Sequence, residues 1–126
     1  MGAVSAAISN AVVRLLTEYT GRGATKARTY INDDYVAVVL QDTLTKGERS
    51  LMRDGRRELV LSNRMAYQDT MSADLIAVVE EATGRKVLAF LSANHLDPDV
   101  AVESFLLAPL DGASDGDATT RQMPQG

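Results

Sequence analysis

Apolar residues near the N-terminus recur at the spacing of one helical face. They lie at offsets of 4, 7, 8 and 11 residues and are Ile8, Val12, Leu15, Leu16 and Tyr19. Ser5 precedes them and can cap the first turn, because its hydroxyl can accept a hydrogen bond from a free backbone amide. Gly21 follows them and can adopt the left-handed conformation that commonly ends a helix. The pattern predicts a first helix between Ser5 and Gly21.

The pattern changes from helix to strand between Ala27 and Gln41. β-Branched and aromatic residues stand on either side of Asn32-Asp33-Asp34, a sequence typical of a tight turn. The second arm, Tyr35 to Leu40, is apolar at every position instead of alternating, as in a strand that is covered on both faces or lies centrally. We therefore predict a β-hairpin whose second strand lies in the middle of a sheet.

A capping box marks the start of the next helical segment, because Thr45 and Glu48 are spaced so that each side chain can satisfy a free backbone amide of the other residue. One helical face later carries Met71, Leu75, Val78, Val79 and Ala82, and Gly84 follows. One straight helix from Lys46 to Thr83 would be about 57 Å long, whereas a compact chain of this size has a radius of gyration of roughly 14 Å. The helix must bend, break or pack on a second subunit, and Gly55 and the pair Ser62-Asn63 are its weakest points.

Two more strands are predicted around Lys86 to Ser92 and from Val100 to Leu107, joined by a loop at residues 93–99. The whole chain then reads α-β-β-α-β-β, an α+β fold of two layers with a mainly antiparallel four-stranded sheet and helices on one face. We assign residues 1–109 to a single domain. Residues 110–126 are acidic and polar with little apolar content, so we expect a disordered tail there.

Composition narrows the function classes. A chain of 126 residues, 45% of them hydrophobic, suffices for one core. With 13 basic against 17 acidic residues the net charge is -4, which argues against a nucleic-acid binder. The chain has no cysteine, so disulfides, thiolate catalysis and cysteine-ligated metals are excluded. Neither a signal peptide nor a membrane-spanning run is recognised, and we expect a cytoplasmic protein without direct membrane insertion.

Two stretches of the sequence carry a resemblance to a known family. They are TGRGATKARTYINDD at residues 20–34, and TGRKV at 83–87 followed by NHLDPD at 94–99. These stretches resemble the two signatures of the MpsC-like family, which is small, mostly bacterial and functionally unassigned. The similarity spans Ser5 to Pro109, and the family often has proline where this chain has Ala24. The resemblance implies an accessory role beside a sodium-translocating, membrane-potential-generating system whose membrane components are linked to bicarbonate uptake.

A basic loop beside the first hairpin is the principal candidate site. Arg22, Lys26 and Arg28 lie close to Asp33, and glycines flank Arg22. Lys26 and Arg28 share one face of an extended strand, and guanidinium groups suit planar oxyanions. These residues could bind an anion such as phosphate, carboxylate or bicarbonate, or a protein partner. The alternative is a solvated basic turn whose charges pair with nearby acids.

A second candidate is the loop that contains Asn94, His95, Asp97 and Asp99. The only histidine next to two aspartates could hold a metal or act in acid–base chemistry. The alternative is turn and cap chemistry around Pro98, because metal sites normally need ligands from elsewhere in the chain. We assign no metal, no cofactor and no catalytic residue, because no recognisable catalytic or nucleotide-binding motif is present.

The function we predict is that of a non-enzymatic accessory or regulatory protein that binds a protein partner, in ion or inorganic-carbon handling as the family resemblance implies. A small-anion-binding sensor is the alternative, and an enzyme using His95 with Asp97 or Asp99 is a third, weaker hypothesis. We also expect a homodimer, joined through helices between Leu51 and Ala82 or by sheet edges. The mixed charges from Lys46 to Arg57 indicate an exposed helix face rather than a nucleic-acid site.

Overall fold

A computed structural model describes residues 2–21 and 26–110 of the chain. The elements are α1 (Gly2–Thr20), β1 (Lys26–Asn32), β2 (Tyr35–Gln41), α2 (Lys46–Arg53), α3 (Arg57–Thr83), β3 (Val87–His95) and β4 (Val100–Leu107). The tail predicted at residues 110–126 lies, except for Leu110, outside the described residues. The predicted α+β class is confirmed, with the second helical segment divided in two.

The four strands form one antiparallel sheet in the order β1-β2-β4-β3. The predicted hairpin is confirmed, with its turn at Asp33 and Asp34 and a positive φ of 54° at Asp33. β2 lies between β1 and β4, as its uninterrupted apolar sequence predicted. β3 continues three residues beyond the predicted Ser92, so the connection to β4 is a tight turn over residues 96–99 rather than a long loop.

The ends of α1 follow one prediction and contradict another. Gly21 ends the helix at a φ of 78°, and its amide donates to the carbonyl of Thr17 at 2.9 Å. The prediction that Ser5 caps the N-terminus is wrong, because α1 already begins at Gly2 and Ser5 lies inside it. The reason is the small residues around Ser5, which include Ala3, Ala6 and Ala7; alanine has the highest helix propensity and extends the helix toward the N-terminus.

The capping box at the start of α2 is confirmed. The Glu48 amide donates to the Thr45 hydroxyl at 3.1 Å, and the Thr45 amide donates to the Glu48 carboxylate at 2.9 Å. The helical segment then breaks at Gly55, which has a φ of 78°, and the chain reverses so that the Arg56 amide reaches the carbonyl of Leu51. The other predicted weak point, Ser62-Asn63, lies inside α3, which runs unbroken for 27 residues, or about 40 Å.

The apolar interior consists of two separate clusters. The main cluster lies between the sheet, α1 and α3, and its largest buried members include Ile8, Leu40, Met71, Leu75 and Phe105. The smaller cluster lies under the α2–α3 pair and consists of buried Leu44, Val60 and Leu96 with half-buried Leu51, Met52 and Leu61. The smaller cluster fastens α2 to the end of the sheet where β2 finishes and β3 turns into β4.

Arg85 joins three segments that are distant in sequence. Its Nε donates to the Ala108 carbonyl at 3.0 Å, and its Nη2 donates to the same oxygen at 2.6 Å. Its Nη1 donates to the Asp33 carbonyl at 3.0 Å, and Nη2 also pairs with the Asp34 carboxylate. One half-buried guanidinium therefore holds the β1–β2 turn against the chain that leaves β4.

We expect Arg85→Ala to lower the free energy of unfolding by about 2 kcal/mol, because charge-assisted hydrogen bonds from a single guanidinium would all be lost. Urea unfolding monitored by circular dichroism measures the change. Arg85→Lys should recover only part of it, since an ammonium cannot reproduce the planar fork. The exposed neighbour Lys86→Ala is the control and should change stability by less than about 0.5 kcal/mol. Equal effects of Arg85→Ala and Lys86→Ala would contradict this role.

Candidate functional site

The inward face of α3 carries polar residues where the helical period requires apolar ones. Val60 belongs to the smaller cluster, and Met71 begins the main cluster. Between them, at four-residue spacing from Val60, stand Arg64 and Gln68. They form the centre of a polar layer between the two apolar clusters. The layer consists of Thr43, Glu48, Arg64, Gln68, Ser92, Asn94, Asp99 and Glu103.

Arg64 and Glu48 form the ion pair of the polar layer, with Nη1 of Arg64 3.3 Å from Oε1 of Glu48. Only 11% of the Arg64 side chain and 6% of the Glu48 side chain are exposed. Arg64 also donates from Nε to Asn94 Oδ1 at 3.3 Å, from Nη1 to the Thr43 carbonyl at 3.4 Å, and from Nη2 to the Thr43 hydroxyl. Glu48 receives a further hydrogen bond from Asn63 Nδ2 at 2.9 Å. Both buried charges are therefore paired and hydrogen-bonded, which is what makes their burial tolerable.

The second half of the polar layer is built on a pair of side-chain amides. Gln68 Nε2 donates to Asn94 Oδ1 and Asn94 Nδ2 donates to Gln68 Oε1, each at 2.9 Å. Gln68 Nε2 also lies 3.3 Å from Oε2 of Glu103, whose other oxygen accepts from the Ser92 hydroxyl. Burial of Glu103 raises the pKa of its carboxyl above the ordinary value, and the hydrogen bonds from Ser92 and Gln68 oppose that rise only in part.

Asp99 connects the polar layer to the start of α2. Its carboxylate accepts from the Thr43 hydroxyl at 3.1 Å and from the Leu44 amide at 2.8 Å. Beside these groups lies a cavity of about 30 Å³ whose other wall is apolar and includes Val12 and Leu16. A cavity of that size holds roughly one water molecule. The polar groups of the layer hydrogen-bond to one another, so the arrangement is suited to holding α2, α3 and one end of the sheet together.

The structure separates the residues of the second candidate loop. Asn94 and Asp99 point into the polar layer, as described above. His95 and Asp97 are exposed, and the His95 Nδ1 lies 2.9 Å from the Pro98 carbonyl. Within residues 2–21 and 26–110, no three His, Cys, Asp or Glu side chains come together in a way that could hold a metal ion.

The principal candidate site is also divided. Lys26 and Arg28 are exposed side by side on β1, whereas Asp33 lies in the turn at the far end of that strand. Seven residues of strand separate Lys26 from Asp33, or about 23 Å. The Asp33 carbonyl is occupied by Arg85. Arg22 lies outside the described residues.

Lys26 and Arg28 belong to a larger surface, the face of the sheet opposite the helices, here called the outer face. Strand pairing arranges it in four rows, which are Lys26–Gln41–Val100–His95, Arg28–Val39–Val102–Ala93, Tyr30–Ala37–Ser104–Leu91 and Asn32–Tyr35–Leu106–Ala89. The alternate residues of the strands point into the core or the polar layer. No described helix covers the outer face, and Tyr30 is 52% exposed and Leu91 64% exposed.

The outer face has an apolar centre and one basic end. Aliphatic and aromatic side chains occupy most of the positions in the second, third and fourth rows, and the hydroxyls of Tyr35 and Ser104 bond to each other at 2.8 Å. Lys26 and Arg28 form the basic corner, with His95 at the opposite end of the first row. None of the residues in the four rows is acidic.

The sequence contains signals for both the polar layer and the outer face. Arg64 and Gln68 continue the spacing of Met71 and Leu75 toward the N-terminus, so they can be recognised as polar residues on a buried helix face. The outer face follows from the apolar residues at every second position of β2 and β4. No local signal, by contrast, connects Asn94 or Glu103 to Arg64.

One of the comparisons with known proteins found a match, which covers most of the chain. A family model described as "Na+-translocating membrane potential-generating system (MpsC)" matches residues 1–109. No curated protein sequence and no solved structure matches the chain. In the part of the chain that the structure describes, no helix is long and apolar enough to cross a membrane.

We expect Arg64→Ala to lower the free energy of unfolding by about 3 kcal/mol or more, because it leaves the Glu48 carboxylate buried without its counter-charge. Removing both charges, in Arg64→Leu with Glu48→Leu, should cost less than the two single changes together. Chemical denaturation of the wild type, Arg64→Leu, Glu48→Leu and the double leucine variant provides the measurement of this cycle. Arg57→Ala, an exposed change on the same helix, serves as the control. An additive cycle would show that the two charges do not stabilise each other.

The raised pKa of Glu103 predicts a pH dependence of stability with a definite sign. As the pH rises above the unfolded-state pKa of about 4.3, the unfolded chain releases the proton of Glu103 before the folded chain does. The contribution of Glu103 to stability must therefore fall until the pH passes the folded-state pKa.

The measurement is the free energy of unfolding of the wild-type protein minus that of Glu103→Gln, between pH 4 and pH 8. We expect this difference to decrease with rising pH. Any constant cost of the glutamine cancels from the slope, because glutamine does not titrate. An increase with pH would mean that the hydrogen bonds from Ser92 and Gln68 outweigh burial.

Proposed function

The chain belongs to the MpsC family, and from that premise we propose that it is a non-enzymatic accessory or regulatory component of a sodium-translocating, membrane-potential-generating system, acting by binding a protein partner on its outer face. The partner we propose is a protein component of that system. The proposal includes a cytoplasmic location and a link to ion or inorganic-carbon handling.

The observation that carries the proposal is the apolar centre of the outer face, which no element among residues 2–21 and 26–110 covers. Four strands at about 4.8 Å spacing and seven residues in length give a surface of roughly 400 Å². That area includes the basic end, and the apolar centre is a smaller part of it. Exposed apolar patches that polar residues surround commonly mark interaction sites. Tyr30, Tyr35, Leu91 and Leu106 are the large exposed side chains on it. A standard interface buries roughly 800 Å² on each partner. In this proposal the outer face forms the centre of the interface, and residues along the edges of the sheet form the rest.

Charge defines the kind of partner that the outer face would accept. Lys26 and Arg28 lie next to each other at one corner, and the four rows offer them no carboxylate. A partner with an apolar strip edged by acidic residues would bury the centre and pair with the two cations. A free anion at Lys26 and Arg28 is the alternative function, and the adjacent position of the two side chains is the observation in its favour.

The non-enzymatic part of the proposal is supported by where the polar groups lie. The carboxylates of Glu48, Asp99 and Glu103 are each engaged in the polar layer. The cavity that Glu48 and Glu103 line has a volume of about 30 Å³. His95 and Asp97 remain on the surface. Nothing in this placement brings a base, an acid and a substrate-sized space together.

A homodimer remains a prediction. The outer face is a poor surface for a second copy. None of the residues in its four rows is acidic, so a second copy offers Lys26 and Arg28 no counter-charge in any face-to-face arrangement. The helices between Leu51 and Ala82 and the edge strands β1 and β3 are the remaining surfaces for self-association. Sedimentation equilibrium at tens of micromolar distinguishes monomer from dimer.

The test of the proposed function uses the detergent-solubilised membrane components of the system as the binding partner. We expect Lys26→Glu with Arg28→Glu, and separately Leu91→Asp, to weaken binding at least tenfold while circular dichroism and thermal melting stay unchanged. The matched controls are Arg14→Glu, an exposed cation on α1, and Met65→Asp, an exposed apolar residue on α3. Both controls should bind as the wild type does.

Three outcomes would contradict the proposal. The first is unchanged binding in both outer-face variants. The second is an equal loss in the controls, which would point to non-specific charge effects. The third is binding of inorganic phosphate or bicarbonate to the wild type, lost in Lys26→Glu with Arg28→Glu but not in Leu91→Asp, without any binding of the membrane components; that result would establish the anion sensor instead.

A further inference from the structure

Basic residues are concentrated in one short part of an acidic chain. Residues 46–58 contain five basic residues, which are Lys46, Arg49, Arg53, Arg56 and Arg57. They contain three acidic residues, which are Glu48, Asp54 and Glu58. This segment therefore carries a net charge of +2. Since the whole chain carries -4, the other residues together carry -6. The protein is electrically polarised along its length.

The structure increases this contrast. Glu48 is buried and committed to Arg64, so it does not offset the basic residues at the surface. Asp54 lies 3.5 Å from Arg56, with side-chain exposures of 73% and 56%, and such exposed pairs are weak. Solvent consequently meets five cations and two carboxylates, an effective charge of +3, on α2 and the first turn of α3.

The most distal part of this basic segment is the α2–α3 tip, defined as Arg53 to Leu59. The chain reverses there at Gly55, so the end of α2 and the start of α3 lie side by side. The fully buried Val60 fixes the base of the tip in the smaller apolar cluster. Leu59, immediately before it, is 49% exposed among the cations. The tip therefore presents arginines and one large apolar side chain on a firmly held turn.

Two of the arginines occupy positions that helix stability disfavours. Arg56 is the N-terminal cap of α3 and makes no capping hydrogen bond with its side chain, and Arg57 begins the first turn. Capping positions favour Ser, Thr, Asp or Asn, and the positive end of the helix dipole repels cations. A bound anionic surface would offset this cost.

We propose that the α2–α3 tip docks the protein on a bilayer surface that contains anionic lipid headgroups. Guanidinium groups pair with phosphates in bidentate geometry, and clusters of basic side chains are attracted to anionic leaflets. Leu59 can enter the headgroup region while the arginines stay at the phosphate level. The excess negative charge elsewhere is repelled by the same surface and so orients the tip toward it.

A planar bilayer fits these features better than a nucleic acid does. The α2–α3 tip is one short turn rather than a groove or stripe that could follow a phosphate backbone. An exposed leucine beside the arginines has no role in contacts with phosphates alone but is suited to an acyl boundary. This inference is independent of the protein partner proposed for the outer face.

The test is flotation of the full-length protein with protein-free vesicles, made of phosphatidylcholine alone or of phosphatidylcholine and phosphatidylglycerol in equal parts. We expect binding to the anionic vesicles only, and weaker binding as salt is added. Arg53→Gln with Arg57→Gln should lower the partition coefficient about 30-fold, since each basic residue contributes roughly fivefold. Leu59→Ser should also lower the partition coefficient, without changing how strongly binding depends on salt.

The matched control removes the same number of charges elsewhere, in Arg14→Gln with Lys86→Gln, and should bind the vesicles as the wild type does. Circular dichroism establishes that each variant is folded, and all the substituted side chains are on the surface. The proposal is overturned if the wild type ignores anionic vesicles, if it binds neutral vesicles equally well, or if the tip and control variants lose binding to the same extent. Because the vesicles contain no protein, a failed partner test on the outer face would not alter this result.

Discussion

The buried pair of Arg64 and Glu48 is the constraint on which the rest of the molecule depends. A guanidinium and a carboxylate can be withdrawn from water only if nearly every donor and acceptor finds a partner. Arg64 on α3 and Glu48 on α2 find their further partners in the loop after β2, on α3 and on β3, through Thr43, Asn63 and Asn94. Satisfying one ion pair therefore fixes the relative positions of both helices and of one end of the sheet.

The helices and the polar layer lie on one face of the sheet, and this arrangement determines what the outer face consists of. The helices cover one face, where β2 and β4 direct Val36, Val38 and Phe105 inward. The alternate residues of the same two central strands must then point outward, and most of them are apolar as well. A two-layer fold built on central strands of this composition therefore has an apolar outer face that none of the described helices covers. Stability is thus concentrated on one side of the sheet and the capacity for contact on the other.

The local charge of the proposed contact surfaces is opposite in sign to the net charge of the chain. The chain is acidic, yet both surfaces to which we assign contacts, the corner of the outer face and the α2–α3 tip, are basic. Several acids are engaged by other parts of the chain: Glu48 and Glu103 are buried in the polar layer, and half-exposed Asp34 pairs with Arg85. The net charge is a sum over the whole chain and does not show this separation. The local arrangement of charges therefore says more about the class of partner than the net charge does. For a family tied to a membrane system, two basic surfaces on an acidic body allow one contact with a protein and another with the lipid surface.

Many of the secondary-structure elements were determined by the sequence itself. The capping box of Thr45 and Glu48, the left-handed Gly21 and the turn at Asp33 all depend on contacts within a few residues, so local chemistry specifies them. The central position of β2 follows from its apolar composition. Local reasoning failed at Ser5, where the propensity of the neighbouring alanines outweighed a capping residue.

Only the tertiary structure decided which residues became neighbours across the chain. Arg64 meets Glu48 and Asn94 from 16 and 30 residues away, and Arg85 meets Asp33 from 52 residues away. Strand register placed Lys26 in one row with His95 and moved Asp33 to the other end. A shift of one residue in any strand would have reversed which side chains face out. The register is set by packing the whole core at once, and for that reason no short stretch of sequence contains it.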